Sequence, residues 1–301
     1  MTTGHSAPNR GKSTIAQTMG KARIFSEALP FIKAYAETTM VIKYGGSAMV
    51  DEGLRNTFAD DIAMLYYVGI DPVIVHGGGP RISEAMHQRG VEPQWVDGLR
   101  VTDAETIRVV QSTLAGEINP DIVRLINAHG SVATGISGID ANLFVARPRD
   151  ERLGFVGEIT QVNAGIVTSL QKQDFVPVIA PLARGEDGQV YNVNADEAAG
   201  ALAAAVGAKQ LVILTDVEGL YRVFGNEDTL IARSTADGIR EMLSSGTVSA
   251  GMLPKLQATV HAIENGVDRV HILDGRIQHS VLLEIFTPEG IGTMITKEPV
   301  P

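Results

Sequence analysis

The sequence predicts an α/β fold in which a mainly parallel sheet is covered by helices on both faces. Three observations point there. Runs such as Thr39–Tyr44 (TMVIKY), Asp174–Ala180 (DFVPVIA) and Gln210–Thr215 (QLVILT) are apolar almost without interruption, as in strands buried on both sides. They alternate with segments whose apolar residues step by three and four, the helical period. The glycine clusters Gly45-Gly46 and Gly77-Gly78-Gly79 follow strands directly, at the carboxyl ends where open parallel sheets bind ligands.

Residues 1–14 are polar and weakly patterned and are expected to form a disordered lead-in. From Ile15 to Tyr35 the pattern is helical. Ile15, Met19, Ala22, Phe25, Leu29 and Ile32 share one face, and Pro30 is expected to kink or break the helix near its end. Thr39–Tyr44 is the first strand. Leu54, Phe58, Ile62 and Leu65 mark a helix closed by Gly69. Pro72–Val75 is a second strand, and a helix over Arg81–Arg89 follows it, closed by Gly90. Thr102-Asp103-Ala104-Glu105 has the spacing of a capping box and opens two helices over Ala104–Ala128. Strands are predicted near Ser131–Gly135, Asn142–Ala146 and Phe155–Thr160, then a helix over Ala164–Leu170 and a strand over Asp174–Ala180. An alanine-rich helix over Asp196–Val206 closes at Gly207 and leads into the strand Gln210–Thr215. Leu253, Leu256, Val260 and Ile263 mark a helix ended by Asn265-Gly266, and strands follow over Arg269–Leu273 and Gly292–Ile295. A weak boundary falls at Gly185-Glu186-Asp187-Gly188.

Composition narrows the chemistry. The 301 residues include no cysteine, which excludes disulfides, zinc–thiolate sites, thiol nucleophiles and iron–sulfur clusters. Twenty-five lysines and arginines against 35 acidic residues leave a net charge of −10, the wrong sign for a nucleic-acid surface. No apolar run reaches the roughly 18 residues of a membrane span, and the N-terminus lacks the apolar core of a signal peptide, so a cytoplasmic location is expected. The seven histidines do not cluster at ligand spacing, and no protein-held metal is expected. Gly11-Lys12-Ser13-Thr14 ends like a P-loop but has Ser6 where the first glycine belongs. A dinucleotide fingerprint starting at Gly77 fails at Ile82. His76-Gly77-Gly78-Gly79 has the form of an esterase oxyanion loop, but Gly135-Ile136-Ser137-Gly138-Ile139 lacks the last glycine of a nucleophile elbow.

Other motifs carry more. Lys43 sits in an apolar strand before two glycines. It is either an edge lysine reaching solvent or a cation beside exposed backbone N–H groups, an arrangement suited to a polyphosphate. Gly77-Gly78-Gly79 is either a tight packing turn or a backbone anion cradle at a helix start. Arg100, just before a helix, is a surface arginine or a bidentate partner for a carboxylate. Asn192 and Asn194 lie on one side of an extended segment, and Asn194 with Glu197 also fits a helix cap. Asp196 opens a helix, where the dipole favours it. Lys255 opens another, where the dipole opposes it. It is either a solvated surface lysine or a cation whose conflict a bound anion would relieve. Two lysines, two glycine turns and no evident base suit phosphoryl transfer to a nucleophile already charged, such as a carboxylate.

With these residues assembled, the chain resembles the amino acid kinase family from about Lys21 to Thr296. The resemblance runs through Val41–Gly46, Val73–Pro80, Gly98–Thr102, Asn192–Asp196 and Gly251–Lys255. It implies a three-layer αβα sandwich with an extra helix in front, an amino-acid-substrate lobe over 38–185 and an ATP-binding lobe over 186–301. It implies transfer of the γ-phosphoryl of MgATP to the side-chain carboxylate of N-acetyl-L-glutamate, in arginine biosynthesis. Carried over by motif, Lys43 and Lys255 would stabilise the transferring group and Asp196 would hold both lysines. Gly45, Gly46 and Gly78 would donate backbone N–H bonds to phosphates. Gly78, Gly79, Arg100, Asn192 and Asn194 would bind the acetylated substrate, with Arg100 on its α-carboxylate. Thr215, Asp216, Gly219, Leu220 and Tyr221 would belong to a nucleotide segment, and Mg²⁺ would arrive with the ATP. The helix over 15–37, together with His271, Glu284 and Gly290, further resembles the arginine-inhibited branch. There such helices interlace dimers into a hexamer, and the three residues would lie in an arginine pocket. His271 also reads as a satisfied core histidine, and Phe31 stands where a tyrosine is expected.

Overall fold

The fold is given by a computed structural model, which describes residues 12–299 except 97, 223–226, 247 and 250. Of the expected lead-in, residues 1–11 lie outside the described residues and 12–14 are already helical. Helix α1 (Lys12–Tyr35) runs on through Pro30, because Phe31, Ile32 and Tyr35 are packed against the core and hold its last turn. β1 (Thr39–Tyr44) leads through a 3₁₀ turn into α2 (Glu52–Tyr67), which Asp51 caps by accepting from the Leu54 N–H. β2 (Asp71–His76) and α3 (Gly79–Gln88) follow as predicted, and a short unforeseen hairpin of β3 (Trp95–Val96) and β4 (Leu99–Arg100) comes next.

The expected capping box is displaced by one residue. Asp103 Oδ1 accepts from the N–H groups of Glu105 and Thr106, whereas the Thr102 hydroxyl donates to the Arg100 carbonyl. The two predicted helices are α4 (Thr106–Gln111) and α5 (Asn119–Asn127), joined without a break by a π-helical segment over Ser112–Ile118. β5 (Ala133–Ser137), β6 (Phe144–Pro148) and β7 (Gly157–Val162) each start two residues later than predicted. α6 (Gly165–Gln171), β8 (Val176–Ala180), β9 (Leu182–Gly185) and β10 (Val190–Asn192) precede α7 (Ala195–Ala205), whose cap is Asn194. The chain continues through β11 (Gln210–Thr215), β12 (Leu220–Tyr221), β13 (Leu230–Ile231), β14 (Arg233–Thr235) and α8 (Ala236–Ser244). α9 (Leu253–Glu264), β15 (Arg269–Asp274), α10 (Ser280–Ile285) and β16 (Thr293–Thr296) complete it.

Eight strands form the main sheet in the order β14-β16-β15-β11-β1-β2-β8-β5, with every pair parallel except β15 and β16. β1 lies inside the sheet between β2 and β11, so residues on both sides of the weak boundary near 185 share one sheet. That boundary falls in the turn between β9 and β10, within a second sheet of order β10-β9-β6-β7. Strand alternation divides the core. Met40, Ile42 and Tyr44 face a layer that includes α2 and α5, while Val41, Val73 and Ile213 face α7 and α9. Burial on both faces is what the uninterrupted apolar strands require.

Candidate active site

Lys43 shares the parity of Val41, so it points to the α7–α9 side of the sheet. Its position inside the sheet rules out the solvent-reaching edge lysine. It is 7% exposed, and its Nζ lies 3.2 Å from Oδ1 of Asp196, which is 5% exposed. Lys255, in the first turn of α9, donates from Nζ to Asp196 Oδ2 at 3.0 Å and reaches the Gly251 carbonyl at 3.3 Å. Small residues make the convergence possible. At Gly200 in α7 a Cβ would lie 3.0 Å from the Ala258 carbonyl of α9, so the two helices approach closely and bring their first turns together. Burial holds Lys43 below the ordinary lysine value, against the pull of Asp196. Burial also pushes Asp196 up, but the two ammonium groups outweigh it and keep the carboxyl below its usual range. Two cations contact one carboxylate, with Asp216 the next acid acting on Lys43, and an anionic ligand between the lysines would be held by both.

The glycine turns border this group. At Gly45 a Cβ would come within 2.7 Å of Lys43 Nζ, and Gly46 has φ +72. Asp216 accepts from the Ser47 N–H at 2.8 Å, tying the end of β11 to this turn. Lys43, Asp196, Gly78, Gly79, Arg100, Asn192 and Asn194 all line one cleft of about 690 Å³, a volume that includes space open to solvent. Arg100 is buried, not on the surface. It donates to the Gly79 carbonyl at 2.9 Å and to Ser83 Oγ at 2.8 Å, and its guanidinium lies 4.5 Å from the Trp95 ring centre. Burial pushes it down to about 10, and among the described residues it has no carboxylate partner. Asn192 donates to Thr102 Oγ1 at 3.3 Å, joining two motifs far apart in the chain. The Asn194 oxygen accepts from the N–H groups of Asp196 and Glu197, so it is the helix cap, and the residue lines the cleft as well.

Gly219, Leu220 and Tyr221 line a second, largely apolar cleft with Val217, Ile231, Met242, Val248, Met252 and Leu256. Thr215 and Asp216 do not line it and sit instead at the carboxyl end of β11. Met252, the N-cap of α9, and Leu256 in its first turn stand on either side of Lys255, so this cleft adjoins the lysine pair.

His271, Glu284 and Gly290 meet at a third cavity, together with Phe31, Tyr35 and Arg269. His271 Nδ1 lies 2.7 Å from Glu284 Oε1, and Glu284 Oε2 accepts from the N–H groups of Ile291 and Gly292. Burial raises the Glu284 carboxyl, but the bonds from His271 and the two amides outweigh it and hold it below its usual value. His271 Nε2 is buried and has no partner among the described residues. Phe31 brings no hydroxyl to this cavity; Tyr35, one turn further along α1, lines it too, and its hydroxyl accepts from Arg269 at 2.7 Å. Sequence reading missed Trp95, Ser83, Tyr35 and Arg269. The single tryptophan five residues before Arg100 is the only local signal among them.

No helix among the described residues is long and apolar enough to cross a membrane. The same residues contain no group of three or more His, Cys, Asp or Glu that could hold a metal ion. A family model described as the amino acid kinase family matches residues 38–274. A relative named acetylglutamate kinase, from a Thermoanaerobacter species, is 48% identical over 282 residues, covering 93% of this chain and 94% of its own. N-acetylglutamate synthase from Neisseria gonorrhoeae, solved with coenzyme A and N-acetyl-glutamate, superposes with a TM-score of 0.82 at 28% identity. That match covers 93% of this chain and 64% of the synthase. The same synthase solved with coenzyme A and L-arginine gives a TM-score of 0.77 at 28% identity, covering 92% of this chain and 65% of that one.

Proposed function

The chain belongs to the amino acid kinase family and is a phosphotransferase, and on that premise we propose that it transfers the γ-phosphoryl of MgATP to the side-chain carboxylate of N-acetyl-L-glutamate. The observation that carries the reading is the convergence of Lys43 and Lys255 on Asp196, beside a cleft lined by the buried, carboxylate-free Arg100. In this reading Arg100 holds the α-carboxylate of the substrate, and Gly78, Gly79, Asn192 and Asn194 hold the rest. The acceptor is already charged, so no general base is needed. Catalysis becomes alignment plus offset of the charge spread over the transferring phosphoryl group. Lys43 and Lys255 supply that offset, and Gly45, Gly46 and Gly78 add backbone N–H groups. The apolar cleft beside Lys255 takes the adenine, with Gly219, Leu220 and Tyr221 along it. Thr215 and Asp216 act nearer the phosphates. Mg²⁺ is carried by the ATP phosphates.

A regulatory reading extends this one. The cavity at His271, Glu284 and Gly290 supports binding of L-arginine, because it combines a buried carboxylate with an unpartnered ring nitrogen. The apolar residues left exposed on α1 support assembly through that helix, as a dimer or a hexamer built from dimers. The test is to incubate the protein with MgATP and N-acetyl-L-glutamate, trap acylphosphate with hydroxylamine, and repeat with L-arginine. Hydroxamate suppressed by arginine supports both readings. Hydroxamate that arginine leaves unchanged keeps the kinase and removes the regulatory site. No hydroxamate overturns the kinase reading.

A further inference from the structure

We propose that His76, acting through the Gly77 carbonyl, fixes the direction of the Gly78 N–H and is a positioning residue for the transferring phosphoryl group; the inference rests on the reaction proposed above. Asn119 is buried behind this turn. Its Nδ2 donates to the Val178 carbonyl at 2.9 Å and reaches the Ile136 carbonyl at 3.3 Å. Carbonyls only accept, so the amide nitrogen must face them. The amide oxygen then lies against Gly135, where a Cβ would fall within 1.9 Å of it. The same Nδ2 stands 3.2 Å from His76 Nε2. An amide nitrogen cannot accept, so a proton on Nε2 would face the Nδ2 hydrogens with no acceptor, and the ring proton belongs on Nδ1. Nδ1 is 2.9 Å from the Gly77 carbonyl and donates to it. The ring is fully buried, and burial pushes its pKa down to about 4, so it stays neutral in this tautomer near pH 7.

The Gly77–Gly78 peptide is trans. A carbonyl held toward the imidazole therefore sends the Gly78 N–H the opposite way. Gly77 and Gly78 both line the cleft with Lys43 and Asp196, and His76 does not, so the side of this peptide turned away from the imidazole is the cleft side. The neighbouring Gly77 N–H is already used by the Tyr44 carbonyl at 2.7 Å. Gly78 also rests on Leu114 and Ile118, where a Cβ would come within 2.7 and 2.6 Å of their methyl groups. Leu114 and Ile118 belong to the π-helical segment and Asn119 follows it directly. Its wider turn brings these three positions onto one face, and π-segments often mark functional sites. One segment thus supports Gly78 from below and orients His76 from behind.

The test uses the full chain in the hydroxylamine assay, with His76→Leu and His76→Asn. Asparagine places a donor nitrogen near the former Nδ1 position and leucine does not. His76→Leu should lose about 10- to 100-fold in kcat, with KM for N-acetyl-L-glutamate within about threefold, and His76→Asn should recover most of the loss. An unchanged kcat in His76→Leu, or no recovery in folded His76→Asn, overturns the role. ¹⁵N-histidine NMR of the wild-type protein should show one ring protonated on Nδ1 that does not titrate between about pH 5.5 and 8. An Nε2-protonated or titrating His76 overturns the proposal even if His76→Leu does not fold. Absence of turnover in the wild-type protein would instead overturn the reaction itself, and this role with it.

Discussion

Lys43 and Lys255 converge on one carboxylate, so each is poised to act where negative charge grows during transfer. Lys43→Ala or Lys255→Ala should lower kcat by about 100- to 1,000-fold and change KM much less. Steady-state kinetics check this, and near-normal kcat in both variants would remove the mechanism. Arg100 differs, because a buried guanidinium without a carboxylate partner is suited to ground-state binding. Arg100→Ala should raise KM for N-acetyl-L-glutamate by about 10- to 100-fold, the worth of a charge-assisted pair. Asp196 also makes stability depend on pH. Its folded value lies below its ordinary one. Its contribution is therefore fully present above the unfolded value near pH 4 and is lost as pH falls through the depressed folded value. Urea unfolding of Asp196→Asn between about pH 2 and 5 should show a shallower loss of stability with acid than the wild type. An equal slope would mean the two lysines do not hold the carboxylate charged.

At the scale of elements, glycine sets how closely segments approach. Gly138 donates to the Ala180 carbonyl and accepts from the Phe144 N–H, stitching the end of β5 to β8 and β6. A Cβ there would lie 1.9 Å from the Leu182 carbonyl and 2.2 Å from the Phe144 ring. Backbone cannot yield as a flexible side chain does, so Gly138→Ala should cost at least about 2 kcal/mol. Gly165→Ala at the start of α6 meets nothing within 4 Å and should be neutral or slightly stabilising. Thermal unfolding of the two variants side by side separates close approach from a general glycine effect. Several elements were hidden from sequence reading for a related reason. β3, β4, β12 and β13 are each two residues long, too short to show alternation, and they exist only because a partner strand lies opposite. The π-helical segment is equally invisible, because Val109, Val110, Leu114 and Ile118 keep a helical spacing through it.

At the scale of the whole molecule, α1 is only half accounted for. Phe31, Ile32 and Tyr35 join the core, but Met19, Ile24, Phe25 and Leu29 are more than 60% exposed. A helix with an uncovered apolar face is expected to pack against another surface. Deleting residues 1–37 should lower the number of subunits per particle measured by light scattering, and an unaltered assembly would remove the interlacing role proposed for this helix. The same deletion takes away Phe31 and Tyr35, which line the cavity at His271, so it should also weaken any response to L-arginine.

Strand apolarity, helical period and glycine turns are local properties, and they sufficed to identify the parallel sheet and to place its strands within a few residues, except β14, a three-residue edge strand that only its pairing with β16 defines. The motifs around Lys43 and Lys255 were legible because each puts a cation in an unfavourable local setting, and those around Gly78, Arg100 and Asn192 because their residue types stand out beside a strand end or a helix start. Which of those residues meet was decided by the tertiary structure. Asp196 and Lys255 touch because Gly200 lets two helices close, and Asn192 bonds to Thr102 from far along the chain. Whether His271 has a partner likewise turned on Glu284, which reaches it from a different element. A sequence records what each residue prefers locally, whereas hydrogen bonds and ion pairs between elements depend on how the sheet and its helices are assembled.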